Sequence, residues 1–169
     1  FTIVRDDGKT FGKHYTNKLG EINLEYKFPA DTYLIRETNT LKGYALDTNV
    51  RKVTLDWGDD HLIEWENYPL ASIRIEKTDA ETGDPIPGVK FEVFDKNKES
   101  LGTYTTDNDG IIRLEKMFLG DSTYYIEEKE NEGYVVTKGL QTVKTKWGKT
   151  TEVELENKPI MGKVELKKT

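Results

Sequence analysis

Three segments, Leu101-Gly-Thr-Tyr-Thr105, Ile111-Ile-Arg-Leu-Glu-Lys116 and Thr123-Tyr-Tyr-Ile-Glu-Glu-Lys129, decide the fold of this chain. Apolar and polar residues alternate along them with a period of two, so successive side chains point to opposite faces of an extended strand. Between the first two lies Asp107-Asn-Asp-Gly110, whose residues turn a chain through local side-chain bonds or by tolerating positive φ. Outward from this centre, Ser72–Lys77, Lys90–Asp95, Leu140–Lys146 and Thr151–Asn157 alternate in the same way, with Gly83-Asp-Pro-Ile-Pro-Gly88 and Trp147-Gly148 as punctuation. No stretch has the caps and 3.6-residue period of an amphipathic helix. Short strands at this spacing predict an all-β chain built as antiparallel β-sandwiches.

The same skeleton stands earlier in the chain, offset by about ninety residues. Thr16 matches Thr106, Gly20 matches Gly110, Leu24 matches Leu114, Tyr33 matches Tyr124 and Glu37 matches Glu128. Trp57 matches Trp147, Asn67 matches Asn157 and Pro69 matches Pro159. A period this long is no solenoid unit and fits a small domain in tandem. Such arrays are spacers or stalks more often than one-site enzymes. The chain has no Cys, which excludes a disulfide, a zinc thiolate and a thiol nucleophile. Its net charge is −6 with both signs interspersed, so no basic stripe exists for nucleic acid or an anionic membrane. No apolar run reaches membrane-spanning length, and no signal peptide or lipidation motif is present, so membrane insertion is not expected.

The expected domains are 1–70, 71–161 and a fragment, 162–169. The second opens on the strand Ser72-Ile-Arg-Ile-Glu-Lys77, whereas the first opens at what should be its second strand. Gly162-Lys-Val-Glu-Leu-Lys-Lys-Thr169 copies the start of the second domain and reads as the first strand of a further repeat. Two explanations stand open: a portion of a longer array, or a strand donated between chains.

Strand parity isolates a constellation. Ile73 and Ile75 share a face with Lys77, Tyr124 and Ile126 with Glu128, and Val153 and Leu155 with Asn157. In the first repeat Tyr33 and Ile35 lead to Glu37, and Ile63 and Trp65 lead to Asn67. Each inward apolar row therefore ends on a polar residue. A buried Lys or Glu is costly unless it is paired, neutralised or chemically consumed.

These residues carry a resemblance. The stretch from Ile75 to Val93 resembles the opening of a Cna B-type domain, as found in Gram-positive adhesins and SpaA-like pilins. Thr105-Thr-Asp-Asn-Asp-Gly110, Tyr124-Tyr-Ile-Glu-Glu128, Gly133-Tyr134 and Glu156-Asn-Lys-Pro159 continue it. Tyr33-Leu-Ile-Arg-Glu-Thr38 and Gly43-Tyr44 resemble the E-box of those pilins, with Leu41 where the box usually has Pro. The resemblance implies two tandem immunoglobulin-like or transthyretin-like (reverse-Ig) sandwiches, each closed by an intramolecular isopeptide bond between a Lys on the first strand and an Asn on the last. Carried over, Lys77 and Asn157 are the partners and Glu128 the proton shuttle, with Glu37 its equivalent in the first domain. Asn67 would need a Lys from outside its domain, and Lys168 is the equivalent Lys of the next repeat.

Chemistry supports the idea on its own terms. An apolar surrounding favours a neutral amine and a neutral carboxylic acid. Such an amine is a nucleophile, and such an acid can polarise a carboxamide and pass protons while ammonia leaves. The alternative is a buried Lys–Glu pair beside an unreacted Asn. The expected function is a stalk or backbone segment of a wall-attached, extracellular Gram-positive adhesin or pilus-like protein, anchored by parts outside this chain. It would perform no catalytic turnover, need no cofactor and hold no metal. Its partners would be adjacent repeats, with host matrix protein or glycan as a further possibility. A ligand-binding module or a polymerising pilin subunit are the competing functions. His14 and His61 lack companion ligands and read as surface residues, and Asp79–Asp84 as a solvated turn. Trp57 and Trp147, repeated before Gly, point to a shared packing role.

Overall fold

The computed structural model describes residues 1–25, 27–129 and 131–168, and the chain divides into two compact units, Phe1–Tyr68 and Pro69–Thr169. In the second unit, β5 (Ala71–Asp79), β6 (Lys90–Phe94), β7 (Ser100–Thr105), β8 (Ile111–Phe118), β9 (Thr123–Glu128), β10 (Tyr134–Val135), β11 (Gln141–Lys144) and β12 (Thr150–Pro159) follow four strands of the first unit. Those four are β1 (Thr2–Arg5), β2 (Thr10–Lys13), β3 (Asp31–Arg36) and β4 (Val50–Leu55).

The second unit contains two four-stranded sheets, ordered β10-β12-β5-β8 and β11-β9-β6-β7. Alternation drives their packing. Ala71, Ile73, Ile75 and Lys77 of β5 are all buried while the residues between them are half-buried. Ile73, Ile75, Phe91, Val93, Phe118 and Ile126 are fully enclosed, and each such side chain stabilises the fold by about 1.5–3 kcal/mol. The strands expected from periodicity in this repeat all form, with no end moved by more than about two residues. β10 is the addition, being too short to show a period.

One pairing departs from the antiparallel expectation. β12 runs parallel to β5, with Leu155 opposite Lys77 and Asn157 opposite Asp79, so that sheet is mixed. First and last strands can lie parallel because the whole domain serves as their crossover.

The first unit forms one four-stranded sheet, β2-β1-β3-β4. Its pairings reproduce those of β7, β6, β9 and β11. Tyr33 is buried there, and the Phe11 and Phe28 rings meet it edge-on at 5.4 and 5.1 Å. Residues 21–25 and 60–67, which correspond to β8 and β12, lie in no strand among the described residues. In the second unit β5 stands between those two strands and bonds to both. Among the described residues neither flank pairs with another strand, although Glu21 O accepts from Asn17 N at 2.9 Å.

Residues 160–168 also lie in no strand and are exposed. Thr169, the end of the expected further strand, falls outside the described residues.

The two Trp-Gly turns differ. A Cβ on Gly120 would stand 2.3 Å from Trp147 Cγ and from its backbone nitrogen, so Trp147 fills space that only Gly leaves open. Trp57 is 86% exposed. The shared packing role expected from the repeat therefore holds for Trp147 and not for Trp57. Tyr134 packs against the core from β10.

Candidate functional site

Three strands of the second unit deliver Lys77, Glu128 and Asn157 to one place. β5 and β12 are neighbours in one sheet, and β9 belongs to the sheet opposite. Each residue ends an inward apolar row, so the alternation that builds the core also buries the polar terminus. Lys77 is 0%, Glu128 6% and Asn157 1% exposed. Asn157 Nδ2 donates a hydrogen bond to Glu128 Oε1. Lys77 Nζ stands 3.5 Å from Glu128 Oε2, an ionic contact too long for a normal hydrogen bond.

Lys77 Nζ, Glu128 Oε2 and Asn157 Oδ1 are accordingly buried without a hydrogen-bond partner. Leaving a buried polar atom unmatched costs about 1–3 kcal/mol, more when it is charged. Three such atoms in contacting residues are an amine, a carboxyl oxygen and a carboxamide oxygen. Burial pushes the Lys77 amine below the usual lysine value of 10.5, against the opposing pull of the Glu128 and Glu156 carboxylates. A depressed lysine supplies the neutral, nucleophilic form.

The backbone at Lys77 is held on both polar groups. Its N–H donates to Gly110 O at 2.9 Å, and its carbonyl accepts from Ile86 N at 2.9 Å. Gly110 closes the Asp107 turn, where Asp107 Oδ1 accepts from Asp109 N and Ile111 N at 3.0 and 2.9 Å. Beyond Lys77, Ala80 N donates to Asn157 O at 2.9 Å, tying the end of β12 to β5. Tyr134 Oη donates to Asp79 Oδ2 at 3.1 Å. Gly110, Asp79 and Tyr134 thus position the site without belonging to it. Their turn residues were visible in the sequence, but their link to Lys77 was not.

The first unit repeats two of the three residues. Glu37 is 4% exposed, and its Oε1 accepts from Asn67 Nδ2 at 2.7 Å. Asn67 Nδ2 also reaches Thr40 Oγ1 at 2.9 Å, and Glu37 Oε2 accepts from Asp47 N at 2.9 Å. Asn67 Oδ1 is buried and unpartnered, like that of Asn157. Thr40 and Asp47 escape a reading by strand parity, since both lie outside strands. Lys168 is exposed and in no strand.

The remaining candidates are local structure. His61 Nε2 lies 3.3 Å from Asp59 Oδ2, and His14 Nε2 lies 3.0 Å from Phe11 O. Asp79 Oδ1 accepts from Glu81 N and Thr82 N at 2.8 and 3.1 Å, which makes 79–84 a turn. Among the described residues no group of three or more metal-ligating side chains occurs, and no helix is long and apolar enough to cross a membrane.

The family described as SpaA, a prealbumin-like fold domain, matches residues 1–69 and again 71–159. Among solved structures, a mutant of shaft pilin spaA from Lactobacillus rhamnosus GG is similar over 97% of this chain and 93% of its own, at 16% identity and a TM-score of 0.52. The Bacillus anthracis TIE protein is similar over 93% of this chain, at 20% identity and a TM-score of 0.51. This chain spans 30% of that protein's length. At these identities the likeness is one of fold. No curated protein matches the chain.

Proposed function

Because the chain belongs to the SpaA family of prealbumin-like fold domains, we propose that it is a structural segment of a Gram-positive cell-surface adhesin or pilus, and that its second unit locks itself with a Lys77–Asn157 isopeptide bond. The observation that carries this reading is the set of buried, unmatched atoms on Lys77, Glu128 and Asn157. A permanent structure tolerates such a set poorly; a reacting one consumes it.

In the step proposed, Lys77 Nζ loses a proton to Glu128 Oε2 and attacks Asn157 Cγ. Glu128 Oε1 already accepts the carboxamide N–H, so the carboxyl group can return the proton to Nδ2. The Cγ–Nδ2 bond breaks, the Nζ–Cγ bond forms and one ammonia departs. No oxidant or cofactor is required. Fixing amine and carboxamide on neighbouring strands replaces a bimolecular encounter by an intramolecular one, a gain of about 7–11 kcal/mol in barrier when the geometry is optimal. The reaction runs once per molecule, so the protein turns over no substrate. The segment works outside the cell, attached to the wall through other parts of its protein.

Intact mass under denaturing conditions tests the bond. The chain is expected to be lighter than its sequence by one ammonia, with a digest that joins the Lys77 and Asn157 peptides. A full sequence mass overturns the reading.

The buried amine is testable separately in Asn157→Ala, where no bond can form. Lys77 has a folded-state pKa below the 10.5 of an ordinary lysine. Between those two values the unfolded chain binds more protons than the folded one, so stability rises with pH. The destabilisation is full below the folded value and gone above the ordinary one. Referenced to Asn157→Ala/Lys77→Met, the unfolding free energy should climb towards alkaline pH. A flat or falling difference contradicts a buried, depressed amine.

A further inference from the structure

Lys77, Glu128 and Asn157 lie at the rim of their sandwich, not at its middle. On β5 only Asp79 follows Lys77 in the inward row, and on β12 only Pro159 follows Asn157. Lys77 and Asn157 are nevertheless fully enclosed. Something has to close the end of those rows.

Strand register identifies it. Asp79 stands opposite Asn157 in the β5–β12 pair, and Pro159 stands opposite Tyr134 in the β12–β10 pair. Directly opposed residues share a face of the sheet, as do residues two apart on one strand. Tyr134, Pro159, Asn157, Lys77 and Asp79 therefore all face inward. The sheet order is β10-β12-β5, so the hydroxyl that Tyr134 donates to Asp79 Oδ2 at 3.1 Å reaches past β12. The two side chains together bridge two strand spacings, roughly 10 Å across the sheet, just beyond Asn157. The Tyr134 ring packs against the core, while Gly133 and Val135 on either side of it are exposed. Tyr134 thus stands between solvent and the reactive residues at this rim.

Asp79 is held ready for that bond. Its Oδ1 is engaged by Glu81 N and Thr82 N, which leaves Oδ2 to the phenol. Hydrogen bonds from the turn, that of Glu81 N first, hold the Asp79 carboxyl below the usual 3.8. The bond to Asp79 lifts the Tyr134 phenol above the usual 10.0. Between those values the phenol keeps its proton to donate and the carboxylate stays free to accept it.

We propose that Tyr134 is a positioning residue for the Lys77–Asn157 cross-link: its bond to Asp79 clasps β10 across the rim, and the cross-link forms in the clasped state. This rests on the isopeptide reading of the second unit. The chemistry is unchanged: the Nζ–Cγ bond forms, the Cγ–Nδ2 bond breaks and ammonia leaves. The clasp contributes dryness and register. Water admitted past an open Tyr134 would solvate the ammonium form of Lys77, which has no lone pair for Asn157 Cγ. Splaying β5 from β12 at Asp79 would also part the two reacting groups.

The test follows linkage in time. The full chain is made by cell-free synthesis with a brief heavy-isotope pulse and quenched at intervals in acid denaturant. The fraction lighter by one ammonia is read by intact mass. Tyr134→Phe keeps the ring and removes the hydroxyl, and should slow linkage by roughly 10–100-fold, the factor for one hydrogen bond to a charged group. Asp79→Ser keeps an oxygen that caps the turn but cannot reach the phenol, and should slow linkage to the same extent. Asp79→Asn keeps Oδ1 in the turn and offers its NH2 to the phenol oxygen, so the rate should return to within about threefold of wild type. Each substitution is also made with Lys77→Met, which cannot link, and melted to establish that the second unit is folded at the assay temperature. A role in stability alone would lower that melt and leave the rate of folded chains unchanged. Linkage at the wild-type rate in Tyr134→Phe, or an Asp79→Asn chain as slow as Asp79→Ser, overturns the clasp and leaves the cross-link standing. A wild-type chain that never loses ammonia removes the cross-link reading itself.

Discussion

Glu128→Gln is expected to leave the chain at its full sequence mass and to lower the melting temperature of the second unit by roughly 20 °C. Glutamine preserves the volume of the side chain and can still accept a hydrogen bond from Asn157, so the packing of β9 has little reason to change. What it removes is the group that, in the proposed step, takes the Lys77 proton and returns it to the leaving nitrogen. Loss of a positioned acid–base group slows a step by about 10²–10⁴-fold, and amide exchange between unactivated groups is slow to begin with. The loop that the proposed bond would close runs from Lys77 to Asn157. By the chain-entropy relation for cross-links, removing it returns about 4–5 kcal/mol of disorder to the unfolded state. For a domain of this size each kcal/mol corresponds to about 4–8 °C. Lys77→Met should reach a similar melting temperature by losing the nucleophile instead. A Glu128→Gln chain lighter by one ammonia would show that the bond forms without this carboxyl group.

Gly110→Ala should be almost as damaging, although residue 110 carries no functional group. Gly110 has φ of +72°, and a Cβ there would lie 2.5 Å from the Lys77 carbonyl oxygen and 3.1 Å from Ile86 N. An alanine has to accept a left-handed backbone, at about 1–2 kcal/mol, and also push on the strand that presents Lys77. Overpacking of this kind adds about 1–3 kcal/mol. The clash falls on the residue whose amine would attack Asn157 in the proposed step, and small misplacements of reacting groups cost large factors in rate. The expected outcome is a loss of about 2–5 kcal/mol in stability, together with a mixture of linked and unlinked chains by intact mass. Complete linkage at wild-type stability would show that the turn does not govern the position of Lys77.

Much of this is legible in the sequence. Alternation located the strands of the second unit because each has one face in a core, and the same parity set Lys77, Glu128 and Asn157 facing inward. Periodicity carries no strand direction, so the parallel run of β12 beside β5 was hidden. Nor does it report whether a strand has neighbours. Ile63, Trp65 and Asn67 keep their alternation in a segment paired with no strand, because side-chain burial and backbone pairing are separate conditions. Trp57 and Trp147 shared a motif and diverged because only Trp147 has Gly120 to pack against. The role of Gly110 depends on a contact with Lys77 across thirty-three positions of sequence, which no local pattern encodes. Asp47 N, which binds Glu37 Oε2, is a backbone group and leaves no trace in residue type.

The parallel pairing of β5 and β12 determines what happens when the chain is pulled. Force applied at Ala71 and Pro159 runs along two adjacent strands in shear, and with a Lys77–Asn157 bond it passes from one to the other through a covalent link. The residues between carry no load. Unlinked, they could pay out roughly 270 Å of extended chain before becoming taut. Linked, they add nothing to the contour, and the second unit behaves under tension as an inextensible rivet.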